Sequence, residues 1–248
     1  MRDKVPALAL AVLLGTWLAA YALTVDEIVE KNIQAHGGME TYKATKTMRI
    51  VALSATADGS ASMTILMKRP DLIRIETTMQ DIKEIRAFDG QLGWSLLSLG
   101  GDTSIQEMSQ EDKTAIMEAA DFDGPLVDYK SKGNTVELIG KEIVNGTDTY
   151  KIRLTLGDGN VSYLNLDSNT FLDLRETRHS KRGSHEVDSE TLYSDYKSMD
   201  GLTLPFTIEA RIHGQTSQRV TIKTVERNVS VDDSVFQMPP GSQSQPSQ

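Results

Sequence analysis

Arg69 is the residue whose surroundings most clearly suggest a chemical task. It follows an alternating sequence in which apolar side chains share one face of a predicted strand pair. The residues of this apolar stripe are Met63, Ile65, Met67, Ile73 and Ile75. Arg69 has the same parity, so its guanidinium is predicted to lie at the rim of an apolar face. Because protein cores seldom accept an unpaired charge, this position predicts a cation with a hydrogen-bonding task.

Two simpler interpretations of this region stay open at the level of sequence. An apolar stripe in a β protein is more often ordinary core than the wall of a ligand cavity. Arg69 can also pair with Glu76 or Glu84 at a sheet edge, as surface charges commonly do.

The other residues that could do chemistry are the four histidines. His179 and His185 flank a basic turn, but their spacing fits no standard metal motif and indicates a solvated hairpin tip. The sequence has no cysteine, which removes thiol chemistry and disulfides. It contains no Gly-x-Ser-x-Gly elbow, phosphate loop or dinucleotide glycine pattern. We therefore expect no catalytic residues, no metal and no cofactor, and an enzyme of unrecognised type is the least favoured interpretation.

The N-terminus has the three parts of a secretory signal peptide. Arg2 and Lys4 precede an uncharged apolar run, and the small residues around Ala22 form a cleavage site, so residues 1–22 are predicted to be removed. The alternative is an uncleaved membrane anchor, although the run is near the lower length limit for a spanning helix. The predicted mature chain has 24 basic and 34 acidic residues. This net charge of −10 argues against nucleic-acid binding and against charge-driven adhesion to anionic lipids.

The rest of the chain is predicted to form one curved antiparallel sheet with a little helix. A capping box at Thr24 opens a helix that stops at Gly37-Gly38, and the hydrophobic period then changes to two. Turn dipeptides such as Asp89-Gly90 separate the strands and favour tight hairpins. The strand candidates are 47–57, 61–69, 72–78, 82–88, 92–98, 134–144, 148–156, 160–166, 171–178, 187–196, 204–212 and 218–227. We expect a single domain over 23–238 and a disordered tail over 239–248.

One helical segment interrupts the strands. Ser109 begins a helix that carries Ile116 and Met117 and ends near Asp123-Gly124, and Pro125 can open a second short helical turn. A helix inserted between two halves of a meander must bury its apolar face, and the inner side of the sheet is the available surface. We therefore predict a helical lid over about 105–130.

Several motifs, taken in order, resemble those of the LolA/LolB family of outer-membrane lipoprotein carriers. They are residues 68–73 (KRPDLI), 88–90 (FDG) with Trp94, and 235–241 (VFQMPPG). The resemblance implies an incomplete antiparallel β-barrel, mainly β with some α, wrapped around a hydrophobic cavity with helices as its lid. It also implies that Arg69 holds the lid shut without cargo, and that Ile73 occupies a cavity-mouth position where the family usually has an aromatic residue.

These expectations combine into a candidate site and a function. The candidate cavity residues are Met63, Ile65, Met67, Ile73, Ile75, Trp94, Ile116 and Met117, with Arg69 as the lid latch, although Trp94 is most simply a hairpin anchor. The expected function is that of a monomeric periplasmic carrier for acyl chains of lipoproteins or lipids. Its partners would be an inner-membrane donor and an outer-membrane acceptor. The alternative is a periplasmic interaction or sensor module of the same fold that binds envelope proteins without catalysis.

Overall fold

The computed structural model describes residues 23–182 and 185–240, without the side chains of 180–186. The helices are α1 (Val25–Ala35), α2 (Gly38–Ala44) and α3 (Gln110–Ala120), with a 3₁₀ turn at Asp233–Val235. The first strands are β1 (Thr47–Thr56), β2 (Gly59–Lys68), β3 (Leu72–Met79), β4 (Ile82–Phe88), β5 (Gly93–Leu99) and β6 (Asp102–Glu107). After α3 follow β7 (Thr135–Val144), β8 (Thr147–Thr155), β9 (Val161–Asp167), β10 (Asp173–Arg182), β11 (His185–Met199), β12 (Leu202–Ile212) and β13 (Gln215–Arg227).

All thirteen strands form one antiparallel sheet in which the first and last strands pair. β1 lies between β2 and β13, with Ile50 opposite Val225, so two meanders join into one sheet. The remaining edges are β6 and β7, which are not paired with each other. The sheet is therefore a curved, open one, and the predicted mainly β, incomplete antiparallel barrel is confirmed.

The sheet has an inner face that both α1 and α3 cover. Cross-strand partners share a face, and the register carries Leu164 on β9 round to Met48 on β1 and Ile73 on β3 without a change of side. The buried apolar clusters beneath the two helices lie on this face. The inner face therefore forms the main core of the protein.

α1 begins at the predicted capping box. The Thr24 hydroxyl accepts a hydrogen bond from the Glu27 backbone N–H, and the Glu27 carboxylate accepts one in return from the Thr24 N–H. Ile28, Val29 and Ile33 recur at helical spacing and pack on β8 and β9. This packing fixes α1 against the second half of the sheet.

The structure differs from the predicted elements in three places. Each of the twelve strand candidates corresponds to a strand, but β6 is additional and lies partly inside the predicted lid range. α2 begins at Gly38, the second of the two glycines that were predicted to end the helical region. The stretch after Pro125 consists of turns rather than a second helical turn. The predicted signal peptide and residues 241–248 of the predicted tail lie outside the described residues.

None of the described helices has both the length and the apolar character needed to cross a bilayer.

Candidate functional site

A cavity of about 310 Å³ lies between α1, the inner face of β9–β12 and the segment that follows α3. Its apolar part comes from residues that alternate on the inner face, such as Leu164 and Leu202, and from Ile33 on α1. Leu126 and Val127, which follow α3, are both buried and form one side of the cavity. We call residues 110–127, which comprise α3 and the segment after it, the lid segment.

The opposite wall of the cavity is polar. Glu176 on β10 and Tyr193 on β11 line it, and the Tyr193 hydroxyl donates to the Glu176 carboxylate at 3.2 Å. Burial first, and then the charge of Glu176, raises the pKa of the Tyr193 hydroxyl well above its ordinary value. Tyr193 therefore stays neutral at physiological pH and acts as a hydrogen-bond donor.

His36, at the end of α1, connects the helix to this polar wall. Its Nδ1 lies 2.8 Å from the Thr203 carbonyl oxygen, and its Nε2 lies 2.7 Å from the Asp173 carboxylate. Asn32 donates to the same carboxylate at 3.2 Å. Burial alone would lower the pKa of His36, but the hydrogen bond and charge of Asp173 and the bond to Thr203 outweigh it and raise the pKa. Because both ring nitrogens face acceptors, the protonated imidazolium fits this position best.

α3 packs on the inner face at the other half of the sheet. Ile116 and Ala120 are buried against Ile73 on β3 and Phe88 on β4. Met117 points away and is 45% exposed. The helix therefore touches the sheet through a narrow apolar strip, while its other sides face outward or towards the opposite wall.

Arg69 binds the lid segment and α2 together. Its guanidinium forms a two-point ion pair with the Asp123 carboxylate, with Nη1 at 2.8 Å from Oδ2 and Nη2 on Oδ1. Nη2 also donates to the Tyr42 carbonyl at 2.8 Å, and Nε donates to the Thr45 carbonyl at 2.7 Å. The guanidinium lies 4.6 Å from the centre of the Phe122 ring. Every polar contact of Arg69 is thus directed at the lid segment or at the end of α2, and its partner is neither Glu76 nor Glu84.

A second arginine, on a strand in the other half of the sheet, also binds the lid segment. Arg178 on β10 donates through Nη1 to the Glu118 carboxylate of α3 at 2.6 Å and through Nε to Glu176 at 2.7 Å. Arg178 and Arg69 therefore bind the lid segment on either side of the C-terminus of α3, at Glu118 and at Asp123.

The predicted site residues divide into two groups. Those of the apolar stripe lie on the inner face and pack beside the lid segment, but they do not line the cavity itself; they are Met63, Ile65, Met67, Ile73 and Ile75. Ile116 is buried among them, and Met117 is exposed. The cavity lies further along the sheet than the sequence indicated.

Trp94 lies on the opposite face of the sheet, so its grouping with the cavity residues is corrected. It pairs with Ala87, whose neighbours in sequence face the other way, and it packs with Ile85 under the C-terminal segment. Its indole N–H donates to the Phe236 carbonyl at 2.7 Å, and the side chain is fully buried. Trp94 therefore anchors the outer face, in keeping with the hairpin-anchor interpretation.

Sequence reasoning missed the polar wall. Tyr193 and Tyr196 are three residues apart, and on a regular strand they would face opposite sides. Asp195 between them has a positive φ of 56°, and this local irregularity lets both tyrosines line the cavity. His36 and Asp173 are separated by 137 residues, so no local pattern could associate them.

No group of three or more His, Cys, Asp or Glu side chains in the described part of the chain is arranged to hold a metal ion.

The open sheet with a helical lid defines a class of fold, and comparison with known proteins identifies it. The sequence matches no protein-family model and no curated protein. Among solved structures, it is similar to a DUF1329 family protein from Desulfovibrio piger, with a TM-score of 0.60 and 14% identity over 85% of this chain and 95% of that one. A LolA superfamily protein from Nitrosomonas europaea gives a TM-score of 0.58 and 13% identity over 88% and 99% of the two chains.

A third similar structure is a putative outer membrane lipoprotein-sorting protein domain from Vibrio parahaemolyticus. Its TM-score is 0.56, with 12% identity over 85% of this chain and 95% of that one. At these identities the likeness establishes the fold alone. The protein therefore has a LolA-like fold, as the resemblance of its motifs predicted.

Proposed function

We propose that this protein is a periplasmic carrier that binds acyl chains of lipoproteins or lipids, without catalysis, and conveys them toward the outer membrane. The observation that supports this most directly is a mainly apolar cavity lined on one side by a segment that two arginines hold in place. The similar structures support the fold on which the proposal rests. A secretory signal peptide, an inner-membrane donor and an outer-membrane acceptor are part of the same proposal.

The closed cavity is at the lower end of the range of small-molecule sites, about 300 to 1,000 Å³. A longer chain therefore needs more apolar surface than the closed state offers. Movement of α3 would uncover Ile73 and its neighbours, which lie on the same face as the cavity and form the apolar stripe. In this proposal the stripe becomes an extension of the binding site when the lid segment opens.

The energy of binding and release can be compared in order of magnitude. Burial of an acyl chain contributes about 0.8 kcal/mol per methylene, so a chain of about twelve methylenes has several kcal/mol to displace the lid segment. The same burial makes release slow unless something competes with the chain. Ile116 and the Arg69–Asp123 pair compete for the closed state, because they regain their contacts when the chain leaves.

The first test is substitution of the latch. Arg69→Leu should favour the open lid segment, so that cargo is retained and its transfer to acceptor vesicles slows. Because Arg69 also bonds the end of α2, Asp123→Asn provides a variant that changes the lid side alone. Arg49→Leu is the matched control, since Arg49 is half exposed and pairs with Glu226 away from the lid segment. Unchanged transfer in both latch variants would contradict the proposed mechanism.

The second test is mass spectrometry of lipids extracted from the protein purified from its native host. Bound acylated molecules at a stoichiometric level would support a carrier. A lipid-free extract, together with copurification of an envelope protein, would instead favour an interaction module of the same fold.

A further inference from the structure

The charged residues that line the cavity are mainly acidic. Its lining includes Asp121, Asp123, Asp173 and Glu176, and among the described lining residues there is no lysine or arginine. His36 also lines the cavity, but both of its ring nitrogens are engaged by Asp173 and the Thr203 carbonyl. The lining therefore presents carboxylates and no cationic donor that is available to an anionic head group.

Asp121, Asp123 and Glu176 are balanced by cations that lie behind them, outside the cavity lining, whereas Asp173 is balanced by His36 within the lining. Lys132 bonds both oxygens of Asp121 at 2.7 Å, and Arg178 bonds Glu176 at 2.7 Å. Neither cation is part of the cavity lining, and the same holds for Arg69, the partner of Asp123. Because Coulomb energy falls with distance, a charge inside the cavity interacts more strongly with the nearer carboxylates than with the cations behind them.

Three tyrosines complete the polar end of the cavity. Tyr42, Tyr193 and Tyr196 all line it, which places aromatic surface next to the carboxylates. Tyr196 donates to the Asp173 carbonyl at 2.7 Å, whereas the hydroxyl of Tyr42 has no hydrogen-bond partner among the described residues. Aromatic faces beside negative charge attract ammonium groups through the ring quadrupole.

From this arrangement we infer that the cavity selects amphiphiles whose polar end is a positively charged amine, and that it rejects those with a carboxylate or phosphate there. This inference rests on the proposed function, because it assumes that an acyl chain occupies the apolar part. The chain would lie against Leu164, Leu202 and Val127. The amine would lie between the tyrosines and the carboxylates of Asp173 and Glu176.

The experiment compares three probes of equal chain length on the delipidated full-length protein: dodecylamine, dodecyl maltoside and dodecanoate. Dissociation constants are measured by calorimetry below the micellar range at one pH and ionic strength. We expect dodecylamine to bind at least tenfold more tightly than dodecanoate, with the neutral probe in between. Because the protein as a whole is acidic, the measurement is repeated at high salt, where nonspecific attraction is screened and a desolvated site is less affected.

Two variants link the preference to the cavity. Glu176→Gln keeps a hydrogen-bond acceptor for Tyr193 but removes the charge, and should reduce the ratio of dodecylamine to dodecanoate affinity several-fold. Tyr42→Leu keeps an apolar side chain and removes the ring, and should reduce the same ratio. Glu137→Gln is the control, since Glu137 is an exposed residue of β7 outside the cavity, and it should not change the ratio.

The outcomes separate the inference from the proposed function. If none of the three probes binds, the carrier function and this inference both fail. If all three bind but dodecanoate binds as tightly as dodecylamine, the carrier function stands and the inference is overturned. A preference for the amine that persists in both Glu176→Gln and Tyr42→Leu would also overturn it, because the selectivity would then arise elsewhere.

Discussion

α1 and α3 both have eleven residues and cover the same face of one sheet, but they are attached to it in different ways. α1 buries Ile28, Val29, Asn32 and Ile33, and its apolar side chains belong to a cluster of nine buried residues that also includes side chains from β8, from β9 and from the C-terminal end of the lid segment. α3 buries only Ile116 and Ala120. Because burial of apolar surface stabilises packing, we expect α3 to be held less firmly than α1.

The polar contacts that attach α1 to the sheet are also more buried than the ion pair that attaches α3. α1 is joined to the sheet by the buried side chains of Asn32 and His36, which share the Asp173 carboxylate. The lid segment is joined by the largely buried Arg69–Asp123 pair and by Arg178–Glu118, which is partly exposed to solvent and is the arginine pair on α3 itself. Solvent-exposed pairs can be exchanged for water at little net cost. We therefore predict that α3 detaches more readily than α1.

The largest predicted effect tests this comparison with matched truncations of the two helices. Ile28→Ala should lower the free energy of unfolding by about 2 to 5 kcal/mol, because the side chain is fully buried in the main cluster. Ile116→Ala removes the same atoms. If the lid segment opens before the rest of the protein unfolds, the loss of global stability in this variant cannot exceed the free energy that holds the lid segment closed. Urea denaturation followed by circular dichroism measures both losses.

Met117→Ala, on the exposed side of α3, is the control for any change in helix propensity, and it should be close to neutral. Equal losses for Ile28→Ala and Ile116→Ala would show that the two helices unfold as one unit, and the comparison would then be wrong.

The sequence predicts most of the fold because the signals involved are local. A period of two and turn dipeptides located twelve of the thirteen strands, and the capping residues Thr24 and Ser109 located the starts of α1 and α3. β6 carries mostly polar, exposed side chains, so it has no apolar alternation to detect.

α2 escapes prediction because two glycines stand at its start, Gly37 at the N-cap and Gly38 as the first helical residue. A glycine at position 37 is typical of a helix end, but the structure requires glycine there because of a close backbone contact. Gly37 has a φ of 120°, and a side chain there would collide with the Gly201 carbonyl of the turn between β11 and β12. This close approach brings α2 next to the sheet, where the Tyr42 carbonyl meets Arg69.

The candidate site is less predictable than the fold because its partners are distant in sequence. The position of Arg69 at the rim of an apolar face follows from strand parity, but its partner Asp123 is 54 residues away. The parity of Trp94 depends on the register of the hairpin at Asp89-Gly90, which the sequence pattern does not fix. The polar wall depends on an irregularity at Asp195 that no composition rule indicates.

The next prediction concerns the attachment of α1 and its dependence on pH. The pKa of His36 is raised in the folded protein above its ordinary value of 6.5. The stability that this gives is fully present below pH 6.5 and is lost as the pH rises through the raised folded value. His36→Gln should therefore be less stable than the parent by about 1.5 kcal/mol at pH 5.5, by the usual strength of charge-assisted hydrogen bonds, and the difference should narrow toward pH 9.

Urea denaturation of both proteins at several pH values measures this difference, and comparison with the variant cancels the contribution of the other histidines. None of the ion pairs described for the lid segment involves a histidine. The attachment of α1 should thus weaken with rising pH while that of the lid segment stays constant. A stability difference that widens toward pH 9 would contradict the assignment of the imidazolium.

The smallest predicted effect isolates the Arg178–Glu118 pair of the lid segment. Glu118→Gln removes the charge that Arg178 binds but leaves Ile116 in place, so global stability should fall by only about 0.5 to 1 kcal/mol, as for other partly exposed pairs. The local consequence should be clearer: amide hydrogens of α3 should exchange several-fold faster, and those of α1 should not change. If α1 and α3 both exchange faster in Glu118→Gln, the pair supports the whole inner face, and the lid segment does not open independently of α1.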